Sequence, residues 1–415
     1  MKTALLHYWL TNRRGGEKVF RALCGLFPDG DVFTHAYNAA AMGDWFAGRD
    51  VRESFVGWLP FARTRCQAYL PLMPAASRSF RLDGYDLLVS SESGPIKGVR
   101  KPSGAKHVCY CHTPMRYLWD MYDDYRRMAG VGGKIAMRLF RDYLRKEDLR
   151  SADAVDEFVA NSRFVAERVK RIYGRDATVV HPFVDDSFFS AERRGKGDFY
   201  LLAGQLVAYK RPDLAVRACL KANRRLKVVG AGGEIGKLRR LAAGNANVEF
   251  LGRVDAETLR RCYAGARALL FPGVEDFGIV PLEAQASGTP VIAYGKGGAL
   301  ETVRSGETGV FFGVQETDAV CGAMEAFEGG LERSSAAVAE ACRANARKFG
   351  KREFEEGMRA VFARVGCAAS IRAPAASALV GIPPVGGCRR IAASAASAPL
   401  GRPLAPRRSV PALAL

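Results

Sequence analysis

No run of about 18 or more uncharged apolar residues occurs in this 415-residue chain, so no membrane-spanning helix is predicted. The start, Met1-Lys2-Thr3-Ala4-Leu5-Leu6-His7-Tyr8-Trp9-Leu10, has a short apolar run. It lacks a basic region followed by a small-residue cleavage site, and reads as the first β-strand of a cytoplasmic protein. Ten cysteines are present but none forms a CxxC pair, which argues against a disulfide framework and for buried reduced thiols. Cys109 and Cys111 flank Tyr110 and would share one face of a strand, a core position more than a metal position. From Ile371 onward there is no acidic and no aromatic residue, and the segment is rich in alanine, proline and arginine. Such a tail, residues 367–415 taken broadly, cannot bury enough apolar surface to offset its chain entropy and is expected to be disordered.

What is abundant is positive charge. The formal net charge is +19, and six arginines lie in that tail. A basic surface attracts nucleic acid, anionic lipid or phosphorylated small molecules, and charge alone does not choose among them. Aromatic and basic residues interleave at Tyr122-Asp123-Asp124-Tyr125-Arg126-Arg127, but acids interrupt them and no nucleic-acid-binding motif accompanies them. No nucleic-acid partner is expected.

The length favours two domains of roughly 150 to 200 residues each. Short apolar runs alternate with amphipathic helical stretches throughout, the pattern of parallel α/β sheets. Strands are predicted at Thr3–His7, Leu87–Ser90, His107–Cys111 and Glu157–Ala160 in residues 1–186. In residues 199–349 they are predicted at Phe199–Ala203, Leu226–Val229, Val248–Leu251, Ala268–Phe271 and Val291–Ala293. A polar, glycine-bearing linker is placed at 187–198. Residues 350–366 follow the second domain as one helix, with Phe354, Met358, Val361, Phe362 and Val365 at helical spacing.

Four segments carry candidate chemistry. Phe271-Pro272-Gly273-Val274-Glu275-Asp276-Phe277-Gly278-Ile279-Val280-Pro281-Leu282-Glu283 reads as strand, loop, then helix. Glu275 falls in the loop and Glu283 early on the helix, and the amides of Phe277, Gly278 and Ile279 would face an anion at the carboxyl edge of the sheet. A sugar nucleotide, whose ribose and hexose hydroxyls want carboxylate acceptors, would use both acids; by spacing alone an N-terminal helix charge and a surface acid are the better reading. Gly204-Gln205-Leu206-Val207-Ala208-Tyr209-Lys210-Arg211-Pro212 sets two cations at the same edge, where they would neutralise a diphosphate. An exposed Lys-Arg pair is also common on any surface. Arg13-Arg14-Gly15-Gly16-Glu17 opens a helix after the first strand, as a phosphate-approaching turn or as a plain tight turn. His112 ends the strand His107–Cys111 within His112-Thr113-Pro114-Met115-Arg116-Tyr117, as a sugar-gripping or a structural histidine. A nicotinamide-dependent oxidoreductase would need a GxGxxG after a strand, and Gly230-Ala231-Gly232-Gly233 lacks that spacing.

In this order the segments resemble the retaining glycosyltransferases of family 4, over about residues 1–365. Glu275 and Glu283 match the family's pair of glutamates separated by seven residues. Asn161-Ser162-Arg163-Phe164-Val165 and His181-Pro182-Phe183-Val184-Asp185 resemble the segments that lead into its interdomain region. The resemblance implies a GT-B fold: two Rossmann-like domains facing a central cleft, with the C-terminal helix crossing back to the first. It implies that Gly15 and Gly16 lie near the donor phosphates, that Lys210 and Arg211 bind the diphosphate, that Glu275 contacts the transferred sugar and Glu283 the ribose, and that His112 hydrogen-bonds the sugar near the reacting carbon. Many members have arginine where this chain has Gln205, which would leave the phosphate charge to Lys210 and Arg211. Retention without a metal or other cofactor is implied, and the cleft segments hold no DxD-like motif. His112–Tyr117 with Gly295-Lys296-Gly297-Gly298-Ala299-Leu300-Glu301-Thr302 is similar to bacterial mannosyltransferase-like members that build O-antigen or exopolysaccharide on a lipid carrier. That makes GDP-mannose the leading donor, with GDP-rhamnose or a UDP-sugar as alternatives, and a saccharide or lipid-linked acceptor. Arg63, Arg65, Arg78 and Arg81, among Phe55, Trp58, Leu59, Phe61, Tyr69, Leu70, Leu72, Met73 and Phe80, would either hold the first domain on an anionic membrane or surround its core.

Overall fold

A computed structural model describes residues 1–190, 197–368 and 371. Seven parallel strands form the first sheet: β1 (Thr3–His7), β2 (Asp31–Thr34), β3 (Val51–Glu53), β4 (Leu87–Glu92), β5 (Lys106–Cys111), β6 (Glu157–Ala160) and β7 (Ala177–Val179). Six form the second: β8 (Phe199–Ala203), β9 (Leu226–Val229), β10 (Val248–Gly252), β11 (Ala266–Phe271), β12 (Val291–Tyr294) and β13 (Gly309–Phe312). All nine predicted strands are present within a residue or two. The four that sequence patterning missed are β2, β3, β7 and β13, each three or four residues long. They begin on Asp31, carry Arg52 and Glu53, centre on Thr178, or open on Gly309, so none presents a clear apolar run.

The strand orders are β3-β2-β1-β4-β5-β6-β7 and β10-β9-β8-β11-β12-β13. In both, the order reverses beside the first strand, between β1 and β4 and between β8 and β11. Helices that leave neighbouring strands toward opposite faces open a crevice at the carboxyl ends there, and ligands of doubly wound sheets bind in such crevices. The central strands are buried on both faces, as parallel sheets require: every residue of β1 and β4 is buried.

The chain passes between domains at Phe183 and Val184, ahead of the expected linker. Phe183 packs with Phe354 on the first core, while Val184 and Phe188 belong to the second. Residues 191–196 of that linker lie outside the described residues. The helix Lys351–Arg364 crosses back, burying Phe354, Met358, Val361 and Phe362 against Leu5, Val19, Phe20, Leu23 and Phe27. Phe362 meets Phe27 edge-on at 4.9 Å. Burying four such side chains favours the docked helix by roughly 1.5–3 kcal/mol each before chain entropy is counted. Cys367 and Ile371, assigned to the tail from sequence, pack on the same core. The rest of the tail, 372–415 with 369–370, lies outside the described residues. All nine cysteines among the described residues are buried. Among the described residues no helix is long and apolar enough to cross a membrane.

Candidate active site

The loops that leave β1, β5, β8 and β11 carry the residues singled out above. After β1 the chain turns at Arg14, and Gly15 and Gly16 open the helix Gly15–Leu26. Glu17, buried, accepts the Arg14 amide at 3.1 Å, and burial pushes its pKa up to about 7. A Cβ on Gly16 would stand 3.2 Å from the Tyr8 hydroxyl and 3.5 Å from His112 Nε2, so the helix start and His112 share one wall of the crevice.

His112 follows β5 directly. Its amide donates to the Glu92 carbonyl (2.8 Å), and its carbonyl accepts Asn161 Nδ2 (2.9 Å). Its Nε2 lies 2.9 Å from Ser91 Oγ, which also lies 3.3 Å from His7 Nδ1. Burial lowers the His112 pKa to about 4 against a smaller pull from Asp276, so the ring is neutral near pH 7. His7 is lowered further by burial and by His112.

From the second domain, Lys210 Nζ pairs with Glu275 Oε1 at 2.6 Å. Burial disfavours the ammonium, but Glu275 outweighs this and the Lys210 pKa is raised. The loops after β8 and β11 therefore meet at the switch point of the second sheet. Two glycines support the Glu275 loop from below: Gly298 donates its amide to the Glu275 carbonyl (2.9 Å), and a Cβ on Gly298 would fall 2.2 Å from the Phe277 carbonyl oxygen. The other, Gly297, would bring a Cβ within 2.6 Å of the Glu275 carbonyl oxygen. Phe277 is buried and stacks on His181 at 5.3 Å. Gly278, at φ +88°, precedes the helix Ile279–Ala286, which puts the amides of Phe277, Gly278 and Ile279 at that helix's N-terminal end. Glu283 accepts the Tyr263 hydroxyl at 3.0 Å. Burial raises its pKa to about 7, opposed by Lys18 from the first domain.

Arg211 is not brought to the same place. It adopts a left-handed backbone (φ +51°), and its guanidinium bonds Asp213 (3.1 and 3.2 Å) and the Gln315 carbonyl (3.4 Å). Sequence reading also passed over Arg116 and Asp276. Arg116 Nε stands 3.2 Å from Asp276 Oδ2, and its guanidinium lies over the Tyr209 ring at 5.3 Å. Asp276 also takes Arg168 Nη1 at 2.5 Å, and the Asp276 carbonyl accepts Ser162 Oγ at 2.6 Å. Glu301 accepts the Arg163 and Phe164 amides at the start of the helix Arg163–Tyr173 (3.0 and 3.1 Å). These contacts join the two domains at the mouth of the cleft. The Asn161–Val165 match and the Gly295–Thr302 match were the traces of this interface in the sequence, although neither pointed to Arg116.

The proposed membrane segment divides. Trp58 and Phe61 are 78% and 76% exposed, whereas Met73 and Phe80 are buried; Arg63 pairs with Glu53 and Arg78 with Glu147. Glu147 lies on the helix Val131–Asp153, which exposes Val131, Ile135, Leu139 and Phe140 beside Lys134 and Arg138.

Two doubly wound parallel sheets whose switch-point loops face one another across a cleft define the GT-B architecture. Residues 14–188 match the family model described as "Glycosyltransferase Family 4", and residues 183–349 the model described as "Glycosyl transferases group 1". The first match spans β2 to β7 and the second spans β8 to β13. Solved structures agree on the fold: sucrose-phosphate synthase from Thermosynechococcus elongatus (TM-score 0.67, 16% identity, 89% of this chain and 100% of that one), and Anabaena HepE in complex with UDP and glucose (TM-score 0.65, 15% identity, 88% and 99%). Among relatives in sequence, a D-inositol 3-phosphate glycosyltransferase of Mycolicibacterium paratuberculosis is 31% identical over 221 residues, 48% of this chain and 50% of the relative. A GDP-mannose-dependent alpha-(1-6)-phosphatidylinositol monomannoside mannosyltransferase of Mycolicibacterium smegmatis is 34% identical over 192 residues, 39% and 50%. The chain spans about half the length of the relatives it matches.

Proposed function

We propose that this protein is a retaining, metal-independent glycosyltransferase that moves a hexose from a nucleotide-diphosphate sugar to a saccharide or lipid-linked acceptor. The observation that carries this reading is the meeting of Lys210 and Glu275 at one switch point, opposite His112 and the Gly15–Gly16 helix start at the other. The diphosphate lies between Lys210 and the helix ends, the hexose between Glu275 and neutral His112, and the ribose at Glu283. The bond from the anomeric carbon to the β-phosphate oxygen breaks while the acceptor oxygen bonds the same face of that carbon. The acceptor's proton passes to the departing phosphate oxygen. Lys210 and the helix termini stabilise the charge that collects on this oxygen, and Glu275 stabilises the positive charge developing on the sugar ring. GDP-mannose is the leading donor, a choice that the mannosyltransferase relative favours; GDP-rhamnose and UDP-sugars are the alternatives. Cell-surface polysaccharide assembly at the cytoplasmic face of an anionic membrane is the setting proposed.

A panel of GDP- and UDP-sugars, scored by hydrolysis and thermal shift with and without EDTA, tests the reading. One donor should be turned over with the configuration of its anomeric carbon retained, EDTA should not reduce the rate, and Glu275→Ala should lower turnover about 100-fold or more, the scale of removing a charge-stabilising contact. Inversion, an absolute need for a divalent cation, or a Glu275→Ala rate within about threefold of the parent would each refute the corresponding part.

A further inference from the structure

A leaving nucleoside diphosphate carries more negative charge than one lysine offsets, and among the described residues of the second domain Lys210 is the cation paired with Glu275 where the loops after β8 and β11 meet. Gln205, on the same loop, is neutral and exposed, and Arg211 is committed to Asp213 and Gln315. Lys210 itself is shared with Glu275. We propose that Arg116, from the first domain, is the second diphosphate-binding cation, reaching across the cleft to act beside Lys210.

Its placement supports this. The Arg116 guanidinium lies along the loop that presents Lys210, over the ring of the preceding Tyr209. Glu275 attracts both cations, Arg116 and Lys210 repel each other, and Arg116 is also felt by Tyr8, whose hydroxyl adjoins Gly16. Arg116 thus stands beside the loop that ends in Lys210, 3.2 Å from Asp276 and 5.3 Å from the Tyr209 ring. Burial works against its charge, yet Asp276 and the neighbouring acidic groups hold the guanidinium fully ionised. The local ion pairs join Arg116, Arg168, Arg171 and Lys210 to Asp120, Asp276 and Glu275, four cations against three carboxylates. The surplus positive charge favours an anion entering here. Because Asp276 is already satisfied by Arg168, Arg116 can turn from it to a phosphate without leaving a buried carboxylate unpaired. A planar guanidinium presents two parallel N–H groups to phosphate oxygens, which a lysine at this position would not.

This assignment rests on the donor reading above, and titration calorimetry with GDP, UDP and the parent nucleosides separates the two. With whichever diphosphate the parent binds, Arg116→Gln should weaken binding about tenfold or more, the usual cost of one charge-assisted contact, and leave nucleoside binding within twofold. Arg116→Lys should fall between the two. Asp276→Asn, which removes the competing carboxylate and keeps the guanidinium, should leave diphosphate affinity within twofold or improve it. If Arg116→Gln binds the diphosphate within twofold of the parent, or if Asp276→Asn weakens binding as much as Arg116→Gln, Arg116 only ties the domains together and the proposal falls. A parent that binds neither GDP nor UDP would refute the donor reading and this assignment with it.

Discussion

Two buried acids in this cleft, Glu17 and Glu283, have their pKa values raised by burial to about 7, inside the working range of most enzymes. Glu283 is the one proposed to hold the ribose, and its ionised form, with both oxygens acceptors, suits two ribose hydroxyls better than the protonated form does. Donor affinity should therefore rise with pH through about 7, and Glu283→Gln should flatten that dependence. A profile of donor KM from pH 5.5 to 8.5 checks this, and a parent profile already flat over that range would remove Glu283 from the ribose site. The sign for folding is opposite. A carboxyl whose folded pKa lies above its unfolded value contributes stability at low pH that fades as pH rises from about 4.5 toward 7. His112, lowered to about 4, stays neutral across the same window and should add no inflection.

At the scale of elements, the Glu275 loop owes its position to the turn Gly295–Gly298 beneath it. The sequence resemblance drew attention to this turn as a family mark; the structure shows its mechanical use, a backbone-to-backbone approach that admits no side chain. Gly298→Ala would put a methyl within 2.2–2.5 Å of three Phe277 backbone atoms, so the loop must move. Turnover should drop at least tenfold while melting temperature falls by only a few degrees, because the strain is confined to a loop edge. Kinetics and a thermal melt on one preparation would decide it, and near-parental turnover would show that the Glu275 loop tolerates displacement. The stretch Gly230–Gly233, weighed in sequence as a nucleotide fingerprint, has a similar packing use: a Cβ on Gly230 would stand 1.8 Å from the Gly204 carbonyl oxygen.

At the scale of the whole molecule, the exposed apolar residues of the first domain gather with basic ones on the helix Val131–Asp153 and around Trp58 and Phe61. Val131, Ile135 and Leu139 recur every four residues and so share one face, with Lys134 and Arg138 along its border. This arrangement suits the interface of an anionic bilayer better than bulk water. The protein should sediment with liposomes containing anionic lipid, be released by salt, and lose binding when Ile135 and Leu139 are both changed to Ser. Retention in the supernatant at low salt, with donor hydrolysis intact, would sink membrane docking and leave the glycosyltransferase reading in place.

The strands on which the site is built were legible in the sequence because buried parallel strands carry apolar runs, as Ala4–Leu6 and Phe199–Ala203 do. The places of Glu275, Lys210 and His112 at the carboxyl edges of the sheets were legible because a loop at the carboxyl end of such a strand follows it directly along the chain. The three- and four-residue strands β2, β3, β7 and β13 were not, since so short a run, opened by Asp31 or Gly309 or broken by Arg52 or Thr178, shows no clear pattern. Nor could residue order show that Arg211 turns away onto Asp213, or that Arg116 and Asp276, 160 positions apart, come within 3.2 Å. Local propensity and burial pattern act along the chain; the pairing of charges across a cleft depends on how two domains pack, and only the tertiary structure decides that.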